Sequence, residues 1–144
     1  MRTTSRSELA VRLRLAITRT SRRLRQEAGT ELSPSQSSAL ASIDRHGPLT
    51  PSELAERERI QRPTVTRLLV RLEAAGLIAR AADPADGRSS LITVTPAGRD
   101  LLRQLRLRKD AFLARRLEEL DAEERATLDR AAAILERLLE EERV

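Results

Sequence analysis

The chain contains almost no aromatic residues, and this limits the kinds of core that it can build. Phe112 is the only aromatic side chain among its 144 residues. A domain of this length buries roughly 70% of the surface that the unfolded chain exposes, so Leu, Ile, Val and Ala have to fill the core. Such a core favours helices that pack leucine-rich stripes over an aromatic-rich β-sandwich or a surface that stacks RNA bases. We therefore expect one helical domain over residues 1–144.

Other missing residue types exclude several chemistries. The sequence has no cysteine, so it forms no disulfide, thiolate zinc site or cysteine redox switch. His46 is the only histidine, and one histidine cannot form a histidine-rich metal cluster. No apolar run approaches the length of a membrane helix, and no signal-peptide pattern is present. We expect a soluble, cytoplasmic protein with no metal, no cofactor and no membrane contact.

The basic residues are concentrated near the amino-terminal end. The formal net charge is +5. Residues 1–30 contain eight arginines and two acidic residues, whereas residues 117–144 contain four arginines and ten acidic residues. This asymmetry favours a polyanionic partner for part of the surface. A solvated charged coat is the alternative when charge is considered alone.

Two helices are predicted before residue 50. Apolar side chains spaced three and four residues apart predict an amphipathic helix over residues 8–28, and Gly29 is expected to end it. Residues 33–36, Ser-Pro-Ser-Gln, then combine an N-cap, a proline at the first helical position and a capping-box glutamine. They predict a second helix that ends at Gly47 and Pro48.

A helix-turn-helix follows at once. Residues 50–53, Thr-Pro-Ser-Glu, predict another capping box and a short third helix to about Glu58. A tight connection of three residues leads to a fourth helix from Arg62 to Ala75, which Gly76 ends. Two short helices joined by a tight turn are typical of a helix-turn-helix.

The remaining sequence predicts a β-hairpin and two long helices. Apolar β-formers at residues 77–82 and 90–94 flank a segment rich in Asp, Pro and Gly, which is typical of a hairpin with a charged loop. A helix is expected over residues 97–119, and Asp121 with Glu124 caps a final helix.

The predicted fold is mainly α with a small β-hairpin wing, in the α+β class. Residues 32–98 are expected to form a winged helix-turn-helix lobe. Residues 1–31 and 99–144 are expected to form a helical lobe for dimerisation.

The predicted fourth helix has two different faces. On a helical wheel, Val65, Leu68, Leu69 and Leu72 lie on one arc and are expected to face the core. The opposite stripe mixes arginine, which bonds guanine bidentately, with threonine and a small apolar group that can contact a thymine methyl. This mixture predicts a helix that reads the major groove, although an ordinary solvated helix has a similar wheel.

Because the N-terminal part of a helix that reads the major groove normally makes the base contacts, Arg62, Thr64, Thr66 and Arg67 are expected to read bases and Arg71 to lie nearer a phosphate. The predicted DNA-contacting residues here are Gln61, Arg62, Pro63, Thr64, Thr66, Arg67, Val70 and Arg71.

Asp86 and Arg88 are the candidate functional residues of the hairpin loop. An arginine at that tip can enter a narrow A·T-rich minor groove, where negative potential is concentrated. Asp86 is predicted to orient the Arg88 guanidinium through a charge-assisted hydrogen bond. Alternatively, the Asp and Gly residues only shape the turn, and both descriptions can hold together.

Five segments between residues 49 and 98 form an ordered set of motifs: LTPSELAE at 49–56, RPTVTRL at 62–68, LEAAGLI at 72–78, DPADGR at 83–88 and LITVTPAG at 91–98. This set resembles the motifs of the MarR family of regulators. Family members often have glycine in the turn where this chain has Arg59, and a small hydroxyl N-cap where it has Gln61.

The resemblance implies a homodimer, held by the first helix and the last two, that binds a pseudo-palindromic operator. Transcription regulation, with repression as the expected outcome, and release from DNA by a small phenolic or other anionic ligand are implied as well. By position, Thr64, Thr66 and Arg67 match the family's major-groove contacts, and Asp86 and Arg88 match its wing motif.

The terminal helices carry more leucine than the core of one winged domain requires. A partner chain is therefore expected to cover the surplus. The predicted dimerisation residues are Leu9, Leu13, Leu128, Leu135 and Leu138.

A ligand pocket is expected between the first two helices and the long fifth helix. Its candidate polar lining is Arg19, Arg22, Gln36 and His46. His46 is equally well explained as a residue that bonds the last carbonyl groups of its own helix. A regulator that has no ligand is a further alternative.

Three other classes of protein are alternatives to a sequence-specific regulator. A pure protein-interaction module of paired helices is the least favoured alternative to a DNA-binding protein, because it would leave Arg67 and Arg88 unexplained. An enzyme is not expected, because the sequence has no glycine-rich phosphate loop, no Gly-x-Ser-x-Gly motif and no second histidine. A nonspecific architectural or nucleoid protein is the main alternative, because arginine-rich surfaces bind any duplex. Such a protein would have no ordered reading stripe.

Overall fold

The computed structural model describes residues 3–140, which form six α-helices and one two-stranded antiparallel sheet. This confirms the predicted fold class, and the predicted helix and strand ends lie within two residues of the observed ones. In chain order the elements are α1 (Arg6–Ala28), α2 (Pro34–His46), α3 (Pro51–Glu58), α4 (Arg62–Ala74), β1 (Ile78–Ala82), β2 (Ser90–Val94), α5 (Pro96–Glu118) and α6 (Ala122–Glu140).

The chain divides into two compact units. One unit extends to Lys109 and contains α1 to α4, the hairpin and the first part of α5. The other begins at Asp110 and contains the rest of α5 and all of α6. Within residues 3–140, no helix is both long enough and apolar enough to cross a membrane.

Side-chain caps fix two of the predicted helix starts. At α2, Ser33 Oγ accepts from the Gln36 N–H at 3.1 Å, and Gln36 Oε1 accepts from the Ser33 N–H at 2.9 Å. Asp121 and Glu124 form the same reciprocal pair at α6, with bonds of 2.7 and 3.2 Å. A cap of this kind stabilises a helix by about 1 kcal/mol. Both predicted capping boxes are therefore confirmed.

The cap of α3 is only half of the predicted box. Thr50 Oγ1 accepts from the Glu53 N–H at 3.2 Å. The Glu53 carboxylate accepts from the Thr50 hydroxyl at 3.1 Å, where a capping box would have it accept from the Thr50 N–H. The Thr50 hydroxyl takes the place of the Thr50 N–H as donor, because its bond from the Glu53 N–H already holds it over the first turn of α3, next to the Glu53 carboxylate.

α1 starts two residues before the predicted bound because of a cap that apolar spacing does not reveal. Ser5 and Glu8 form a capping box, in which the Ser5 N–H donates to Glu8 Oε2 at 2.8 Å. The bonds from the Ser5 backbone and side chain hold the pKa of the Glu8 carboxyl below its ordinary value. At the other end, Gly29 stops α1 in the left-handed conformation, as predicted.

The core is aliphatic and lies where α2, α3, α4 and the hairpin meet. Leu40, Ile43, Leu54 and Ile92 are at most 1% exposed. Close packing of such side chains, each worth about 1.5–3 kcal/mol when fully buried, holds these elements together. The four α4 residues predicted to face the core, Val65, Leu68, Leu69 and Leu72, are all buried.

Leu49 fastens the hairpin to the connection between α2 and α3. In the hairpin itself, β1 and β2 pair with Ile78 opposite Val94. Leu49 then donates its N–H to the Ile92 carbonyl at 3.0 Å and accepts from the Ile92 N–H at 2.7 Å. The hairpin is therefore held rigidly beside the helix-turn-helix.

Thr95 and Gly98 join the start of α5 to the end of α4. The Thr95 hydroxyl donates to the Gly76 carbonyl at 2.6 Å and accepts from the Gly98 N–H at 3.1 Å. A Cβ at Gly98 would lie 2.2 Å from the Leu77 carbonyl oxygen and 2.8 Å from Val94 Cγ2. Only glycine allows this close approach of α5 to the backbone.

We predict that Gly98→Ala lowers the free energy of unfolding by about 2–3 kcal/mol, because backbone atoms must move to admit the methyl group. Urea denaturation monitored by far-ultraviolet circular dichroism measures this change. Gly87→Ala is the matched control, since a Cβ at Gly87 meets nothing within 4 Å. Equal losses from both substitutions would contradict a tightly packed α5 start.

Candidate nucleic-acid interface

The outer face of α4 brings the predicted DNA-contacting side chains onto one surface. α4 packs on α2, α3 and β1 with its apolar face, so its opposite face is turned outwards. Thr64 is half-buried on the edge of this face. The exposed members are Gln61, Arg62, Pro63, Thr66, Arg67, Val70 and Arg71.

Hydrogen bonds within this face orient two of its arginines. Arg67 Nη2 donates to Thr64 Oγ1 at 3.3 Å, and Arg62 Nη1 donates to Ser52 Oγ at 3.0 Å. These bonds are exposed to water and individually weak, so a polar ligand can replace them at little cost. Thr64 and Ser52 are therefore positioning residues for the two guanidinium groups.

The Thr66 hydroxyl is used in a different way. It donates to the Arg62 carbonyl one turn earlier at 3.1 Å. With its proton engaged, Thr66 Oγ1 presents lone pairs to the outer face. In this rotamer Thr66 can accept a hydrogen bond from a ligand.

Arg59 and Gln61, the two departures from the MarR pattern, lie at the end of α3 and the start of α4. Arg59 has φ 53° and ψ 45°, the left-handed conformation that glycine adopts readily, and its N–H bonds the Ala55 and Glu56 carbonyls. Gln61 has the extended backbone of an ordinary N-cap, but its side chain makes no cap hydrogen bond. In the first turn of α4, Pro63 has no N–H, and the N–H groups of Arg62 and Thr64 donate no hydrogen bond to the N-cap side chain.

Three arginines converge on a cleft of about 220 Å³ between the helix-turn-helix and the hairpin. They come from three elements: Arg62 from α4, Arg80 from β1 and Arg88 from the loop. Glu73 offsets part of this charge, since it accepts from Arg80 Nε at 3.0 Å. The remaining excess of positive charge suits an anionic group such as phosphate. The lining residues are Pro51, Ser52, Arg62, Thr66, Leu69, Arg80, Arg88, Ser89 and Ser90.

Ser52 and Arg80 belong to this surface although they are not among the DNA-contacting residues predicted from the sequence. The local sequence places Ser52 at the start of α3 and Arg80 in a strand, and it indicates no further role for Ser52. An arginine on the exposed side of a strand beside the predicted wing was the available signal for Arg80.

Two aspartates fold the hairpin loop by bonding their own backbone. Asp83 Oδ1 accepts from the Ala85 N–H at 2.9 Å, and Asp86 Oδ1 accepts from the Arg88 N–H at 3.0 Å. The loop is closed by the Asp83 N–H, which donates to the Ser89 carbonyl at 3.2 Å. Short aspartate side chains commonly reach the amide two residues on in this way.

This geometry corrects the predicted bond between Asp86 and the Arg88 guanidinium. The Asp86 carboxylate bonds the Arg88 backbone amide, because that amide lies within reach in the turn. The alternative, in which Asp and Gly shape the loop, describes what the structure shows. The Arg88 side chain is exposed at the end of this ordered loop.

Comparison with known proteins gives the family of this chain. Residues 32–90 match the sequence model of the MarR family. An HTH-type transcriptional regulator of Mycobacterium tuberculosis is 38% identical over 136 residues, which cover 94% of this chain and 95% of the relative. The multiple antibiotic resistance protein MarR of Salmonella typhimurium is 34% identical over 100 residues, 69% of each chain. The chain belongs to the MarR family.

A solved structure agrees with this assignment. The crystal structure of a transcriptional regulator protein from Pseudomonas aeruginosa is 38% identical and superposes with a TM-score of 0.86 over 96% of this chain and 98% of that chain. This MarR-family protein is a DNA-binding transcription regulator with a winged helix-turn-helix, and that family is not a class of enzymes.

Glu58 ties α2 to α3 in this MarR-family regulator. The Ser38 hydroxyl donates to Glu58 Oε2 at 2.7 Å, and the Ser42 hydroxyl donates to Glu58 Oε1. α2 is also joined to α5, since Asp44 lies 3.6 Å from Arg99 Nε and 3.7 Å from an Arg106 nitrogen. α2 is therefore bonded to both α3 and α5.

The four residues predicted to line a ligand pocket lie on α1 and α2. Arg19 and Arg22 are exposed on α1, and His46 is exposed as the last residue of α2. Gln36 is buried, and its side-chain oxygen already accepts from the Ser33 N–H. Gln36 thus has a structural role in the MarR-family fold, and a ligand pocket at these residues stays a prediction.

The terminal helices leave most of their apolar side chains exposed. Ala28 is the only buried residue of α1, and the described part of α6 has none. Of the predicted dimerisation residues, Leu135 is half-buried and the other four are exposed. The exposed large apolar residues of these two helices are Leu9, Val11, Leu13, Leu15, Ile17, Leu128, Ile134, Leu138 and Leu139.

Proposed function

We propose that this MarR-family regulator binds a pseudo-palindromic operator as a homodimer and represses transcription from it. The main observation behind the proposal is that α4 has one buried apolar face and one exposed face that carries arginine and threonine. One face packs in the core, so the other is held outwards at a fixed angle with its arginines, threonines and valine. The hairpin formed by β1 and β2, here called the wing, lies beside this face and carries Arg88 in its loop. An arginine at this position is suited to a second contact, in the minor groove.

Individual roles follow from the chemistry of each exposed group. Arg67 reads guanine through O6 and N7, with Thr64 holding its guanidinium in place. Thr66 accepts from the amino group of cytosine or adenine. Val70, which is 57% exposed, contacts a thymine methyl.

Gln61 and Arg71 are assigned to the phosphate backbone. Arg62, which the sequence predicts to read a base, is assigned to a phosphate because it lines the cleft with Arg80 and Arg88. Pro63 has no hydrogen-bond donor and contributes only van der Waals contact.

The wing supplies the minor-groove contact. Arg88 inserts its guanidinium where A·T-rich sequence narrows the groove. Asp86 contributes indirectly, because it fixes the backbone from which Arg88 extends. Arg80 lines the cleft between the wing and α4. We assign it to the phosphates between the major-groove and minor-groove contacts.

Homodimerisation is proposed from the uncovered apolar surface of α1 and α6. Apolar side chains in this number favour a partner, and a second copy of the same chain is the simplest one. A two-fold axis would place two copies of α4 in successive major grooves. The operator half-sites would then lie about one helical turn, roughly 10 base pairs, apart.

A small phenolic or other anionic ligand is proposed as the signal that releases DNA. Binding at the predicted pocket residues would move α2, and the bonds through Glu58 and Asp44 would pass that movement to α3 and α5. The expected cytoplasmic location stays a prediction.

Selection from a random duplex pool at about 150 mM salt tests the proposed function. We expect the bound fraction to contain an inverted repeat with half-sites about one helical turn apart and A·T-rich positions beneath the wings. Recovery of unrelated or merely A·T-rich sequences would instead identify a nonspecific architectural protein.

We predict that Arg67→Ala weakens binding to the selected operator by about 1–3 kcal/mol and relaxes the preference at one base pair of each half-site. Titrations against operators that carry all four bases at that position measure the effect. Arg103→Ala, which removes the same charge from α5, is the control. A uniform loss on every sequence would assign Arg67 to a phosphate.

We predict that the double substitution of Leu135 and Leu138 by Asp yields monomers, since two charges would then lie in the apolar interface. Light scattering measures the mass. Ala133→Asp is the control, because Ala133 lies on the opposite side of α6 at 100° per residue. A stable dimer of the double variant would place the interface elsewhere.

A further inference from the structure

Arg59 holds a backbone conformation that is unfavourable for an arginine. Among residues 3–140 it is the only residue other than glycine with a positive φ. The other left-handed positions are occupied by Gly29 and Gly76. In this conformation the Cβ of an L-residue crowds the following carbonyl oxygen, so glycine would be the more stable choice.

Contacts within the described part of the chain do not explain the choice of arginine. The Arg59 side chain is exposed and forms no hydrogen bond or ion pair with residues 3–140. Its backbone N–H bonds the Ala55 and Glu56 carbonyls, and glycine would make the same bonds. The neighbouring Glu58 carboxylate is engaged by Ser38 and Ser42. Among residues 3–140 the Arg59 guanidinium therefore has no counterion.

The position of Arg59 indicates what that counterion is. It lies in the turn between α3 and α4, three residues before Arg62 at the start of the reading helix. In a helix-turn-helix complex the first helix crosses the DNA backbone while the second enters the major groove. The turn between them lies at the edge of the groove, beside the phosphates.

We propose that Arg59 binds a DNA phosphate at the edge of the major groove, and that this contact compensates for the strained backbone of the turn. The proposal rests on the proposed binding of duplex DNA by α4. It adds a phosphate contact on each half-site that glycine at this position cannot make. Arginine at position 59 therefore lowers the stability of the free protein and raises the affinity of the protein for DNA.

Arg59→Gly separates the two effects. We expect its thermal midpoint to rise by about 3–6 °C, because glycine relieves the strain. We expect operator affinity to fall about tenfold at moderate salt. The slope of log K against log salt should become shallower by about two, since roughly 0.9 is lost for each of two phosphate contacts.

Two further variants serve as controls. Arg59→Lys keeps both the charge and the strain, so it should retain the salt slope and gain no stability. Arg57→Gln removes a charge from helical backbone two residues away. It should leave the midpoint unchanged and lower affinity less than Arg59→Gly does.

Each result that differs from these expectations would reject a specific part of the Arg59 proposal. An unchanged salt slope for Arg59→Gly, or an equal loss of affinity in Arg57→Gln, rejects the phosphate contact. An unchanged thermal midpoint for Arg59→Gly would reject the statement that the left-handed backbone of Arg59 destabilises the free protein. The slopes are also measured on a nonspecific duplex, so failure to select an operator rejects the proposed function while the Arg59 contact is still decided. Absence of any DNA binding by the unmodified protein rejects both.

Discussion

The burial of one face of α4 is the interaction on which the rest of the structure depends. Leu69 and Leu72 of α4 pack in a core that also holds Leu40, Leu54 and Ile92. Since this core contains no aromatic ring, it has to be filled by closely fitting aliphatic side chains from several elements. Their fit determines the rotation of α4 and hence which of its side chains face outwards. The backbone pairing of Leu49 with Ile92 fixes the wing against the same core.

Features encoded by neighbouring residues could be predicted from the sequence. The starts of α2 and α6 were predicted because a capping box lies within four consecutive residues. The outward face of α4 was predicted because apolar spacing defines the buried face, and the other face follows from it. The Asp86 bond was predicted wrongly because a turn offers a nearer partner, the backbone amide, than the guanidinium that charge alone suggests.

Features that join distant residues could not be predicted. Ser42 and Glu58, or Arg62 and Arg80, become neighbours only when the core has formed, and nothing in their local sequence indicates the pairing. Arg59 is an intermediate case, since its departure from the family pattern was visible, but its backbone angle was not. The surplus of leucine on α1 and α6 could be recognised from the sequence, but what covers these side chains is not specified by the pattern of one chain.

The cleft with three arginines has a thermodynamic consequence, because its residues come from α4, β1 and the wing loop. Such a site exists only in the folded chain, so any anion that occupies it binds the native state and not the unfolded one. Occupancy therefore adds to the free energy of unfolding by mass action. DNA-bound protein would therefore unfold less often than free protein. Proteases that cleave the unfolded chain would then cleave the bound protein more slowly. If the proposed phosphate contact forms, the lifetime of the regulator depends on the number of DNA sites available to it.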